Sequence, residues 1–113
     1  MGVTSTDLYR SGNAASSRLD QFRVPPGAFD IDTYTDSQGV VWVKANSGGV
    51  STWEKPDVAW SKTWRLPGGS NFSSDLRVWS DAPGHWLWEP MVDMQIQRYR
   101  DALTQASNLF VRT

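Results

Sequence analysis

Three short segments hold the side chains best placed to do chemistry: Asp7-Leu8-Tyr9-Arg10, Gly48-Gly49-Val50-Ser51-Thr52-Trp53-Glu54 and Gly84-His85-Trp86-Leu87-Trp88-Glu89. In chain order they supply a guanidinium, neighbouring hydroxyls, an imidazole and carboxylates, each opening or closing a short apolar run. Strand ends are rigid and face the loops where ligands bind, so groups placed there can meet across a cleft. The residue types suit the holding and splitting of NAD. Arg10 presents a planar fork of donors for the pyrophosphate or the adenosine ribose, a grip that lysine matches less well. Ser51 or Thr52 can fix the nicotinamide-side ribose. Rupture of the nicotinamide–ribose bond develops oxocarbenium character, as in glycoside hydrolysis, and a carboxylate near the 2′-hydroxyl stabilises it. Glu89 is the first candidate for that carboxylate and Glu54 the second. Tyr9, Trp53 and Trp86 offer faces for stacking.

Each of these residues also has a structural reading. Arg10 fits a surface residue that ends a strand, and Ser51 and Thr52 fit helix caps or strand-face hydroxyls. A lone histidine among tryptophans is commonly half-buried and hydrogen-bonded. Glu89, placed before Pro90, suits the positive end of a following helix. Most of the seven tryptophans are expected in the core, because a small domain without disulfides gains much of its burial from large aromatics.

The chain has 113 residues, a formal net charge of −1, no cysteine and one histidine. That length fits one domain, 1–113, with one core. The scattered Arg and Lys form no basic stripe, so non-specific nucleic-acid binding is not expected. Without cysteine there is no disulfide framework and no thiolate metal site, and a single histidine argues against a zinc centre. Met1 to Asp7 lacks the basic and apolar regions of a cleavable signal peptide. No apolar run approaches the roughly 20 residues needed to cross a bilayer.

Short strands are expected at Leu8–Arg10, Val40–Ala45, Val50–Trp53, Leu76–Trp79 and Trp86–Trp88, each bounded by Gly, Pro, Asn or Ser turns. Val50–Trp53 also reads as a strand-to-helix passage. Pro25-Pro26-Gly27 breaks any regular element. Trp60 and Trp64, four apart, suit a brief helix or an apolar strip. Val92, Ile96, Tyr99, Leu103, Ala106 and Phe110 recur at steps of four and three, the signature of an amphipathic helix, with Pro90 just before it.

Ser51-Thr52-Trp53-Glu54-Lys55-Pro56 resembles the closing strand of a WW domain, a proline-peptide receptor. The second signature tryptophan would fall where Ile31 and Asp32 stand, and the central aromatic pair is missing. A wider resemblance runs along most of the chain: Leu8-Tyr9-Arg10, Gly48-Gly49-Val50-Ser51, Asp75-Leu76-Arg77-Val78, Gly84-His85-Trp86 and a late helix look like the small type VI secretion effector toxins of the ADP-ribosyltransferase-like class. In that resemblance Arg10 matches the family's early arginine, Ser51 its middle hydroxyl and His85 its late histidine. The family places a Thr-Ser pair where this chain has Val50-Ser51-Thr52. The second hydroxyl is thus shifted by one position, which turns a strand side chain to the other face.

The resemblance implies an α+β domain, a compact mixed sheet with a C-terminal amphipathic helix, similar to the catalytic fold of ADP-ribosyltransferase toxins. It implies NAD as substrate, bound by Arg10, Tyr9, Ser51, Thr52 and Trp53, with Glu89, His85 and Ser51 catalytic and no metal. ADP-ribose would pass to a macromolecular acceptor, or NAD would simply be hydrolysed, and a cognate immunity protein would neutralise the toxin. The expected route is secretion without a cleavable signal peptide into the cytoplasm of a target cell, or otherwise a cytoplasmic location, with no membrane association. The competing expectations are a non-enzymatic Trp-rich binding module for a peptide or glycan, and an inhibitor of the immunity type.

Overall fold

Runs of β-branched and aromatic residues cut by Gly, Asn and Ser turns fold most of this chain into short strands. The computed structural model describes residues 2–113. Their order is β1 (Gly2–Val3), β2 (Leu8–Ser11), β3 (Thr33–Thr35), β4 (Val41–Val43), β5 (Val50–Trp53), β6 (Thr63–Leu66), β7 (Asn71–Phe72), β8 (Leu76–Ala82), β9 (His85–Pro90), β10 (Met94–Gln95), α1 (Ile96–Ser107) and β11 (Val111–Arg112). With 35% strand and 11% helix, the domain is a mixed α and β structure in which sheet dominates.

Three sheets share one core. The largest has six strands in the order β11-β6-β2-β5-β9-β8, a second has three in the order β10-β4-β3, and β1 pairs with β7. Every pairing among the described residues is antiparallel. Side chains alternate across a strand, so the register of β5 on β9 sorts them. Val50 stands opposite Trp88 and Thr52 opposite Trp86, while Ser51 stands opposite Leu87 and Trp53 opposite His85. Val50, Thr52 and Trp88 are buried, which makes theirs the core face.

The helix closes that face. Tyr99, Ala102, Leu103 and Ala106 are buried at the expected three- and four-residue steps. The Tyr99 hydroxyl donates to the Trp88 carbonyl at 2.6 Å. Burial, helped by the charges of Glu89 and Asp30, pushes the Tyr99 phenol well above its ordinary pKa, so it stays protonated and keeps donating. The helix also anchors the loop after β2. Ser107 and Ser17 hydroxyls meet at 2.7 Å, Thr104 donates to Asp20 at 2.9 Å, and Phe22 packs on Tyr99 with ring centroids 5.0 Å apart.

Several expectations change. Trp60 and Trp64 share no helix, because Thr63–Leu66 is strand β6, held in register by β2, and Trp60 lies in the preceding turns. Pro90 ends β9 rather than leading the helix, which starts six residues later after β10. Val92 is exposed and outside the helix, whereas Phe110 is buried just beyond its end. Of the seven tryptophans only Trp88 is fully buried; Trp64 and Trp86 pack against the core while half-exposed, and the other four are half-buried as well.

Replacing Tyr99 by Phe keeps the ring but leaves the buried Trp88 carbonyl without its donor. Urea denaturation should show a loss of about 1–3 kcal/mol. An unchanged midpoint would mean that the Tyr99 hydroxyl does not anchor the helix to the sheet.

Candidate functional site

An open cleft of about 400 Å³ lies between β5 and the loop that follows β2. Its walls include Arg10, Arg18, Gln21, Arg23, Asp30, Ser51 and Trp53. Beside it, β2 and β5 pair only through Tyr9 and Trp53, whereas all four residues of β2 pair with β6. Arg10 bridges the gap. Its Nη1 donates to the Ser51 carbonyl at 2.7 Å and its Nη2 to the Arg18 carbonyl at 3.3 Å. Its Nε is buried and has no hydrogen-bond partner among the described residues. Burial pulls the Arg10 pKa down, opposed by Asp30 and Asp20 and reinforced by Arg18, yet a guanidinium remains charged at neutral pH.

Arg18 is held in a left-handed conformation at φ 59°, between Ser17 and Leu19, both fully buried. A non-glycine residue in that region is costly and is kept only where its surroundings fix it. Arg23 instead pairs with Asp30. The Arg23 backbone N–H donates to Asp30 Oδ2 at 2.8 Å and Nη2 donates to Oδ1 at 3.1 Å. Burial acts to raise the Asp30 pKa. The hydrogen bonds from Arg23 and the charges of Arg23 and Arg10 outweigh it and hold the carboxyl below its ordinary value. Neither Arg10 nor Arg18 forms an ion pair among the described residues. Three guanidiniums against one carboxylate leave two positive charges in excess on the cleft.

Two glycines let the neighbouring turn approach. Gly48, at φ 134°, packs on the Asp30 carbonyl, and Gly49 packs on the Trp88 carbonyl. A Cβ at either position would run into main chain, so the turn before β5 admits only glycine there.

The structure brings together three of the residues expected from the sequence, Arg10, Ser51 and Trp53, and separates the rest. Thr52 points into the core, fully buried, where it accepts from Trp88 Nε1 at 3.0 Å and donates to the Trp86 carbonyl at 3.3 Å. It cannot touch a ligand in the cleft. Tyr9 faces Trp53 in the ladder but is not a cleft wall. Glu89 is buried and accepts from Trp79 Nε1 at 2.5 Å, away from the cleft. Glu54 is exposed and accepts from Trp86 Nε1 at 2.8 Å. His85 lies behind Trp53, its ring centroid 5.5 Å away, and its Nδ1 pairs with Asp81. Arg18, Gln21, Arg23 and Asp30 were not singled out from the sequence. The available signal was the pair Arg23 and Asp30, opposite charges flanking the Pro25-Pro26-Gly27 break.

Among the described residues no group of three or more His, Asp or Glu side chains is placed to hold a metal ion, and no helix is long and apolar enough to cross a membrane. No family model matches the chain, and no curated protein shows significant similarity to it.

The Asp30 carboxyl should titrate below its ordinary value of 3.8. A depressed folded pKa contributes stability that is present above the unfolded value and is lost as pH falls through the folded one. Replacing Arg23 by Gln removes the main opposing partner, so the Asp30 midpoint should move up in a carboxyl-resolved NMR titration. A midpoint that does not respond would mean that Arg23 is not what keeps Asp30 ionised.

Proposed function

We propose that this cleft binds NAD through its pyrophosphate and that the chain is a small toxin enzyme of the ADP-ribosyltransferase-like class. The observation that carries the reading is the pair of guanidiniums, Arg10 and Arg18, without carboxylate partners among the described residues, in the walls of a cleft that also includes a serine and a tryptophan. Charge-assisted donors of this kind suit pyrophosphate oxygens. Ser51 and Gln21 line the same cleft and bring a hydroxyl and an amide suited to ribose hydroxyls.

For the bond-breaking step the cleft offers one carboxylate, Asp30, kept ionised by Arg23. As the nicotinamide–ribose bond breaks, its electron pair leaves with nicotinamide. Asp30 stabilises the positive charge developing on the ribose, and water or an acceptor nucleophile bonds to the same carbon and releases its proton to solvent. This assigns to Asp30 the role expected of Glu89. Transfer to a macromolecular acceptor, inhibition by a cognate immunity protein and action in a target-cell cytoplasm belong to the same proposal and rest on the resemblance alone.

A second reading, the non-enzymatic binding module, is favoured by a different observation: partly exposed aromatic pairs at Trp53–Trp60 and Tyr34–Trp42, the latter parallel within 5°. It predicts glycan or peptide binding with no turnover.

Incubation of the purified chain with NAD should release nicotinamide. Asp30→Asn should slow release by about 100- to 1,000-fold. Arg18→Ala, at an exposed position, should weaken NAD binding, whereas Glu89→Gln should lower thermal stability more than turnover. Absence of both NAD binding and nicotinamide release from a folded chain would overturn the enzyme reading. Release that survives Asp30→Asn would remove Asp30 from the mechanism.

A further inference from the structure

A smaller cavity, of about 150 Å³, lies under the first loop of the chain. Leu8, Val78 and Trp86 reach it from the core face of the six-stranded sheet, and Val3 and Phe72 enclose it from the paired strands β1 and β7. The loop residues Thr4, Ser5 and Thr6 complete the wall, and no charged side chain lines it. Trp86 commits its N–H to Glu54 at 2.8 Å and so offers the cavity only its ring.

The loop is fastened at both ends and free in the middle. At one end the Thr4 N–H donates to the Ser70 carbonyl at 2.9 Å, the Thr4 carbonyl accepts the Gly69 N–H at 2.7 Å, and the Thr4 hydroxyl accepts the Ser70 N–H at 3.0 Å. At the other end the Asp7 carboxylate accepts the Gly68 N–H at 2.7 Å and pairs with Arg65 at 3.3 Å. These bonds tie the loop to the turn at residues 67–70 rather than to the sheet across the cavity. The Thr4 hydroxyl is thereby spent. The Ser5 and Thr6 hydroxyls have no protein partner among the described residues, and both residues belong to the cavity wall.

Close packing leaves few voids larger than a water molecule in a protein interior. Water fills this one poorly, because five of its eight wall residues are apolar and an ordered water in such a place makes about three hydrogen bonds. An apolar cavity of about 150 Å³ is large enough for benzene. We propose that the cavity binds a small neutral aromatic molecule bearing one hydroxyl or N–H, with its ring against Trp86 and Phe72 and its polar group on Ser5 or Thr6. Rings make favourable edge and offset contacts with other rings, and the uncharged wall offers nothing to compensate an ion. This cavity shares no wall residue with the cationic cleft, so the assignment stands apart from NAD binding.

Titration of the full chain with phenol, followed by methyl-resolved NMR at Val3, Leu8 and Val78, tests this. Phenol should give saturable shifts at those methyls and raise the thermal midpoint. Benzene, lacking the hydroxyl, should bind roughly three- to tenfold more weakly, and benzoate should leave the methyls unmoved. The double variant Ser5→Ala, Thr6→Val removes hydroxyls that hold nothing in the fold, so it should bind benzene as before and lose the preference for phenol. Val78→Phe fills the space and should weaken phenol at least about tenfold. Val3→Phe, at a more exposed wall position, gives the same reading if Val78→Phe folds poorly. Shifts that do not saturate, that persist in a folded filled variant, or that appear at Arg10 and Arg18 instead overturn the assignment. So does equal affinity of the unmodified chain for phenol and benzene, or for phenol and benzoate.

Discussion

The half-buried guanidinium of Arg10 spans the seam between β2 and β5. Burial of a charge is costly unless hydrogen bonds replace the lost water. Arg10 meets that demand only in part, through two main-chain carbonyls, with its Nε left without a partner. Carbonyl oxygens satisfy donors without cancelling charge, so the positive potential persists at the cleft. The same contact does structural work. The Ser51 carbonyl, where the β2 ladder no longer follows β5, finds its donor in a side chain. One residue thus satisfies the carbonyl at the edge of the ladder and brings a positive charge to the cleft.

The two walls of the cleft are referred to a common core. On one side, Thr52 and Trp88 lock β5 and β9 together beneath Ser51 and Trp53. On the other, Ser17, Asp20 and Phe22 are fastened to Ser107, Thr104 and Tyr99 of α1. Tyr99 closes the circuit by donating to the Trp88 carbonyl. A loop pinned on both sides of Arg18 can keep that residue in a left-handed conformation that an unanchored loop would abandon. The cleft geometry therefore depends on the helix although no helical residue lines it.

What the sequence revealed follows the range of the forces involved. The helix stripe and the strand at Val50–Trp53 were legible because local periodicity is enforced by burial on one face. The same period-two rule correctly places Ser51 and Thr52 on opposite faces. Trp60 and Trp64 misled, because a four-residue spacing has no meaning when the second residue is drafted into β6 by pairing with β2. Arg18, Arg23 and Asp30 were not legible as a site. Their position depends on Ser17, Leu19 and Gly48, whose contacts span up to 90 residues of sequence.

The tryptophans explain why the carboxylates that looked catalytic are not in the cleft. Six of the seven tryptophans are only half-buried, and four of those six, Trp42, Trp64, Trp79 and Trp86, donate their N–H to a protein acceptor. Asp36, Glu54 and Glu89 supply those acceptors to Trp42, Trp86 and Trp79. Charge-assisted bonds of this kind hold the rings in place, and they fix each carboxylate beside an indole rather than at the mouth of the cleft. Asp30 accepts instead from Arg23, at the cleft itself, and is the carboxylate among the cleft walls.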